Sequence, residues 1–296
     1  MTDRITRQQS RAAAWLLLPA LALIGLFFVI PVIAGLLLSF TDFDIYSISA
    51  PQAARFVGLE NYRQVLAWPQ LWQAMRNTMY FVVVGAPISV LVSLGAALLL
   101  NSPGIRLRGL FRTIYFAPVV TPLVAIAIVW RYLYHPRYGL LNNFIDNIGL
   151  SPIDWLGDPQ WAMPAIILVA IWKNFGYNMI IFTAGLQTIP RELFEAAAVD
   201  GANAWWRFRH VTVPGLKPTF LFVGVTTMIG YFQLFAEPYI MTQGGPLGST
   251  RSLILLMYEE GFRWWRMGIA STIAVILFAM TLIGTLVQLQ LARRNS

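Results

Sequence analysis

The chain has 296 residues, 57% of them hydrophobic and only 11% charged, with 21 Lys and Arg against 13 Asp and Glu for a formal net charge of +8. Soluble domains carry roughly 25% charged residues, so this composition points to a membrane protein. Cysteine is absent, which excludes a disulfide framework, a Cys-ligated metal and a thiol nucleophile.

Five runs contain no Asp, Glu, Lys or Arg: Ala12 to Phe40, Asn77 to Leu100, Thr113 to Trp130, Pro218 to Ala236 and Met267 to Ala292. Each reaches the ~18 to 20 residues that a bilayer-crossing helix needs. In chain order, the first helix is expected over 12–40. Arg4, Arg7 and Arg11 precede it in the manner of a signal peptide, but its apolar length exceeds the ~7 to 15 residues of a signal core, so it should remain as a helix. The segment 41–76 mixes aromatic residues, Pro and Asp and predicts short interfacial helices. The second helix is expected over 77–100 and the third over 111–134. Between 135 and 160, Leu140, Leu141, Phe144, Ile145 and Ile148 follow a helical period and predict a helix along the surface. The fourth, over 161–187, is interrupted only by Lys173, and one ionisable residue in a span marks function more often than it disproves the span. The fifth is expected over 217–240 and the sixth over 267–292. The fold class is therefore all-α, a polytopic membrane protein whose six helices form one transmembrane domain over 1–296.

Orientation follows from Lys and Arg in alternate loops. With the N-terminus inside, that side holds Arg4, Arg7, Arg11, Arg106, Arg108, Arg112, Arg191, Arg207, Arg209, Lys217, Arg293 and Arg294. The basic residues of the other side are balanced by Asp42, Asp44, Glu60, Asp146, Asp154, Asp158, Glu259 and Glu260. Both termini are expected in the cytoplasm of a multi-pass inner-membrane protein. The positive charge is accounted for by topology, without a nucleic-acid partner.

Residues 190–218 then form a cytoplasmic loop between the fourth and fifth helices, far longer than the ~2 to 8 residues an antiparallel turn needs. Ile189-Pro190 offers a helix start, Glu192 and Glu195 suit the positive end of the helix dipole, and Gly201 can end the helix in left-handed geometry. A short surface helix is predicted over Pro190 to Asp200. Ala196, Ala197 and Ala198 strip one side of bulk, as in a helix that slots into a groove on another protein, with Phe194 and Val199 as apolar contacts.

Polar groups inside the spans should face a cavity, because they are costly in lipid. In the fifth helix Thr226, Gly230, Gln233 and Glu237 recur at i, i+4, i+7 and i+11, with Thr227 and Tyr231 beside that stripe. In the fourth, Lys173, Asn174, Tyr177 and Asn178 share a face, with Trp172 and Gly176 next to it. The structural alternatives are that Asn, Gln and Thr only bond neighbouring helices and that Gly176 and Gly230 are packing sites. Lys173 and Glu237 are offset in depth by about 10 Å from the helical rise, which argues against pairing and leaves Lys173 to meet an anionic group.

The stretch "RELFEAAAVDGANAWWRFRHVTVPGLKP" resembles the EAA loop of prokaryotic ATP-binding-cassette importer permeases. Glu195, Ala196 and Ala197, then Asp200-Gly201, then Val211-Thr212-Val213-Pro214 keep that signature's spacing. "GLENYRQVL" from Gly58, "TQGGPLGSTRSL" from Thr242 and "YEEGFRWWRMGIASTIAVILF" from Tyr258 are similar to the carbohydrate-uptake branch, in particular its maltose-type or glycerol-phosphate-type first permease. The resemblance implies six core helices, a second homologous permease subunit, two cytoplasmic ATPase subunits and an external solute-binding protein. It implies that Glu195, Ala196, Ala197, Asp200, Gly201 and Pro214 couple to the ATPase. It also places substrate contacts at Trp172, Phe175, Gly176, Thr227, Tyr231 and Leu234, to which the polar faces add Lys173, Asn174, Tyr177, Gln233 and Glu237 as a substrate path. A small sugar-like solute is expected, with phosphorylated or acidic sugars left open.

No catalytic or metal site is expected. There is no GxxxxGK[ST] phosphate loop, so no cofactor is expected in this chain, and ATP and magnesium would be bound by the partner ATPase. His135 and His210 fall on opposite sides of the membrane. Glu259 and Glu260 diverge by about 100° if helical and are expected as a solvated rim facing the binding protein. Trp205, Trp206, Trp264 and Trp265 suit interfacial anchoring, and Gly244-Gly245-Pro246 a tight turn. The rival reading is a secondary transporter driven by an ion gradient, which should show more helices and inverted repeats.

Overall fold

The computed structural model describes residues 13, 15–49, 54–102 and 104–294. Arg4, Arg7, Arg11 and Ala12, used above for orientation and for the start of the first span, lie outside them. The chain divides into two compact units, 1–67 with 257–276 and 68–256 with 277–296. Among the described residues the secondary structure is helical apart from an isolated bridge between Thr41 and Phe56.

Five helices are long and apolar enough to cross a bilayer: Trp15–Leu38, Pro69–Asn101, Ala162–Gln187, Lys217–Met241 and Met267–Ala292. The expected third helix over 111–134 is corrected to a bent pair, Arg108–Val120 and Leu123–Leu133, meeting at 99°. Thr121 between them is extended, with φ −77° and ψ 133°. The cause is local: the ring of Pro122 disfavours α geometry at the residue before it and supplies no N–H to continue the ladder.

The second helix starts earlier than 77. Trp68 is extended (φ −81°, ψ 125°), Pro69 occupies the first turn, and Leu71 and Ala74 are buried, so an amphipathic extension leads into the apolar run. The fifth span is also not one continuous helix. It stops at Phe232 and restarts over Ala236–Met241, with Phe235 at φ −143°, ψ −59° between the pieces. The expected stripe Thr226, Gly230, Gln233, Glu237 is therefore interrupted before its last member.

In the larger unit the fourth span is central. Its Ile166 and Val169 join Phe81, Ala127, Tyr231 and Phe232 in one core, and its Met179 and Phe182 join Leu94, Ala97, Leu216 and Val223 in another. Gly176 lets the fourth span approach the third closely, because a Cβ there would overlap the backbone carbonyl of Tyr115. Gly230, also weighed above as a packing site, has nothing within 4 Å of an added Cβ; that reading is corrected. Gly176→Ala is expected to cost about 1–3 kcal/mol by overpacking, while Gly230→Ala leaves stability unchanged. Thermal unfolding of the purified protein in detergent distinguishes the two.

In the smaller unit, the window that qualifies Trp15–Leu38 as a span has no buried residue, the surface expected of a helix with lipid around it. Short helices Ile45–Ser49 and Glu60–Leu66 follow, in the segment where interfacial helices are expected. The carbonyls left open at the end of the first span are bonded by the Asn61 side chain, which donates to Ser39 O and Thr41 O at 2.9 and 2.7 Å. Thr272 also donates to Ser39 O, at 3.2 Å, and Gly268 N to Phe43 O, at 3.0 Å. The solvated acidic rim is corrected here. Glu260 is buried and paired with Arg266 at 3.0 Å, and Glu259 lies 3.8 Å from Arg263, because the π-type turn Glu259–Arg263 carries both acids back onto their own chain.

Candidate functional site

The break in the fifth span creates the principal polar feature of the membrane region. Gln233 leaves helical geometry at ψ 25°, and Pro238, tolerated in a first turn, lies in the restarted helix just after Glu237. A backbone break in lipid leaves carbonyls that need donors; the Ser252 hydroxyl donates to Leu234 O at 2.6 Å. The interruption opens a cavity of about 350 Å³. Its polar lining is Lys173 and Asn174 from the fourth span, Gln233 at the break and Glu237 beyond it, and its aromatic lining is Phe81, Tyr231 and Phe235.

Glu237 is 8% exposed and lines the same cavity as Lys173, although the two form no direct ion pair. The expectation that the two do not pair directly agrees with this, and both nonetheless line one cavity. Tyr231 is buried and stacked on Phe81 with ring centroids 4.9 Å apart. Asn174 donates to Ala170 O of its own helix at 2.9 Å, which leaves its amide oxygen as an acceptor. The site thus combines a cation, an anion, neutral amides and flat aromatic faces in water-accessible space.

The residues named from sequence divide. Lys173, Asn174, Tyr231, Gln233, Leu234 and Glu237 line the cavity; Trp172, Phe175, Gly176, Tyr177 and Thr227 do not. Trp172 meets Trp130 edge-on at 5.5 Å, Phe175 lies against Tyr115 at 5.6 Å, and Tyr177 is exposed. Thr227 is buried and accepts from Asn178 Nδ2 at 2.9 Å, so this pair joins the fourth and fifth spans. Thr227→Val is expected to leave the Asn178 amide unpaired at a cost of about 0.6 to 1.7 kcal/mol, read as a lowered unfolding temperature with solute affinity unchanged.

Leu123, Phe81 and Phe235 were missed. A signal existed for two of them. Thr121-Pro122 marks a helix boundary, after which Leu123 begins a new helix, and Pro238 marks the restart that strands Phe235 in the break. Nothing local in the sequence singles out Phe81, which reaches the cavity through tertiary packing.

The second candidate is the loop 190–218. Its helix is Arg191–Val199, with extended Pro190 before it rather than in its first turn. Gly201 has φ +74°, its N–H donates to Ala198 O at 3.1 Å, and Ala202 N–H donates to Ala197 O at 2.9 Å; this pair of bonds is the Schellman ending that glycine favours. Asn203 then caps Ala204–Arg207 by accepting from Trp206 N at 2.8 Å. A π-type turn, Phe208–Thr212, leads to Val213–Gly215, where Pro214 is exposed. Trp205 and Trp206 are exposed on this loop.

The helix presents two faces. Phe194 packs on the core that contains Met179 and Phe182, and Ala197 is buried. Glu195, Ala196, Ala198, Val199, Asp200 and Gly201 are exposed, Val199 at 88%. Phe194 is therefore not an outward contact, a correction to the expectation above: it seats the helix on its own protein while Val199 projects from it.

Residues 89–296 match the family of binding-protein-dependent transport system inner membrane components. The chain is 39% identical over 287 residues to the lactose transport system permease protein LacF of Rhizobium radiobacter, covering 95% of this chain and 94% of that one. It is 35% identical over 281 residues to the sulfoquinovosyl glycerol transport system permease protein SmoG of Agrobacterium fabrum, with 95% and 90% covered. To the trehalose/maltose transport system permease protein MalF of Thermococcus litoralis it is 32% identical over 293 residues, with 99% and 97% covered. In fold it is similar to a bacterial transporter involved in import of the acidic polysaccharide alginate, with TM-score 0.80, 23% identity and 98% and 99% of the two chains covered. Helices that cross the membrane several times, a polar cavity among them and the matched signature together make this chain a member of the binding-protein-dependent inner-membrane transport family, the permease rather than the ATP-hydrolysing subunit of an importer.

Proposed function

We propose that the chain moves a sugar or sugar-like solute into the cytoplasm by alternating access, as one of two homologous permease subunits. An external solute-binding protein delivers the solute, and two cytoplasmic ATPase subunits, which bind ATP and magnesium, drive the cycle. Residues 1–296 act as a single permease domain with both termini in the cytoplasm, and 190–218 is the loop that meets the ATPase.

The observation that carries the solute class is the cavity at the broken fifth span. Hydroxyl-rich solutes are held by amide and carboxylate hydrogen bonds together with flat apolar faces, and Asn174, Gln233 and Glu237 stand there beside Phe81, Tyr231 and Phe235. The sugar-transporting relatives support the same class. On this reading Lys173, Asn174, Tyr231, Gln233, Leu234 and Glu237 form the substrate path. Trp172, Phe175, Gly176 and Thr227 support it by packing, and Tyr177 lies exposed outside it.

The test is uptake into proteoliposomes holding this chain, its partner permease, the ATPases and the binding protein. Uptake of a labelled sugar that requires internal or external ATP on the ATPase side, and that is indifferent to proton and sodium ionophores, is expected. Uptake that persists without the ATPases and follows an ion gradient overturns the proposal.

A further inference from the structure

We infer that the permease carries a second saccharide-binding subsite, separate from the central cavity and placed at its extracytoplasmic approach. The inference rests on the orientation and solute class proposed above. The site is a pocket of about 410 Å³ formed by the start of the second span, the start of the fourth and the loop before the sixth. That volume lies in the range of small-molecule sites, about 300 to 1,000 Å³.

The pocket is built rather than incidental. Gln73 Nε2 donates to Leu247 O at 2.9 Å, and Asn77 Nδ2 donates to Gly248 O and Arg251 O at 2.7 and 3.0 Å. These bonds fix the loop against the helix, and Leu247 and Gly248 hold left-handed backbone, φ +51° and +75°. Gln73 commits one N–H and Asn77 both to the loop, and the carbonyl oxygen of each amide is an acceptor. Ser249, in the same wall, has a hydroxyl that is buried with no hydrogen-bond partner. Arg76 and Gln160 add donors, and exposed Tyr80 adds an aromatic face.

Amide acceptors, a hydroxyl, a guanidinium and a phenol ring around one small space match the alternating donors and acceptors of a sugar ring. No Asp or Glu lines the pocket, so nothing in it would hold a cation, and the amides and the phenol ring suit a carbohydrate. It shares no lining residue with the central cavity. Tyr80 and Phe81 are consecutive on one helix, and Met163 and Ala170 are two turns apart on another, a rise of about 10 Å. A solute bound here would therefore sit one short step before the site near Glu237.

The test uses the full importer complex in lipid nanodiscs without nucleotide or binding protein, and tritiated lactose and trehalose as probes. In a Glu237→Gln complex, where the central cavity holds little sugar, Tyr80→Ala and Gln160→Ala are each expected to lower the remaining bound sugar at fixed concentration about five-fold, the weight of one lost hydrogen bond or ring contact. They are expected to leave the affinity of the binding protein for the complex unchanged. Gln160 is at an exposed turn, so its variant keeps the test decisive if Tyr80→Ala fails to assemble. Unchanged sugar binding in both variants overturns the subsite, as does weakened docking of the binding protein with sugar binding intact, which would make the pocket a protein contact. A wild-type complex that takes up no sugar with ATP defeats the proposed function; normal uptake with sugar binding insensitive to Tyr80 and Gln160 defeats only this subsite.

Discussion

Val199→Asp is expected to reduce ATP-driven uptake by about 30-fold or more while the protein still assembles in the membrane. Val199 projects from the end of Arg191–Val199 at 88% exposure, so the substitution disturbs no packing within this chain. If the exposed face is the ATPase contact, a charge at its apolar centre removes a hot-spot interaction of roughly 2 kcal/mol or more and disconnects hydrolysis from transport. The paired measurement is ATPase activity of the complex stimulated by loaded binding protein. Stimulation should be lost along with uptake, and unchanged values for both would exclude this face as the coupling contact. Ala197 gives the contrasting case. It is buried, so Ala197→Leu should lower thermal stability by overpacking, a different readout from the one Val199 gives.

Glu237→Gln should raise the solute concentration needed for half-maximal uptake by about 10- to 100-fold. Hydrogen bonds to a charged group contribute about 1.5–3 kcal/mol, and this carboxylate is one of few charges facing the cavity. Lys173→Gln separates solute types. With a neutral sugar the effect should be small, because the solute carries no charge for the ammonium to attract; with an acidic or phosphorylated sugar it should match or exceed that of Glu237→Gln. Uptake parameters that stay at wild-type values in both variants would remove the cavity from the transport path. Affinity of the binding protein for the solute serves as the control and is expected to be constant.

The two sites were legible in the sequence to different degrees. The coupling loop is written locally. Glu192, the alanines and Gly201 specify a short helix and its ending through contacts between near neighbours in the chain, and the helix differs from expectation by one residue at each end. Which face of it looks outward was not written there, because Phe194 and Val199 are both apolar and only the core around Met179 and Phe182 decides which is covered. The cavity was half legible. Lys173 and Glu237 stood out because charges in apolar runs are rare, yet an unbroken-helix reading did not place both on one cavity. The polar stripe failed beyond Gln233 for the same reason: helical periodicity holds only while the backbone stays helical.

The sequence by itself determined the class of protein, its family and where most spans run. Long uncharged segments leave a chain no stable alternative to membrane-crossing helices, and the loop signature depends on residue order alone. Tertiary structure decided the break that opens beside Gln233, the shared cavity of Lys173 and Glu237 and the pairing of Asn178 with Thr227. Each of these depends on which distant surfaces supply hydrogen bonds and packing to a segment whose local preference is weak or divided, and no window of neighbouring residues contains that information.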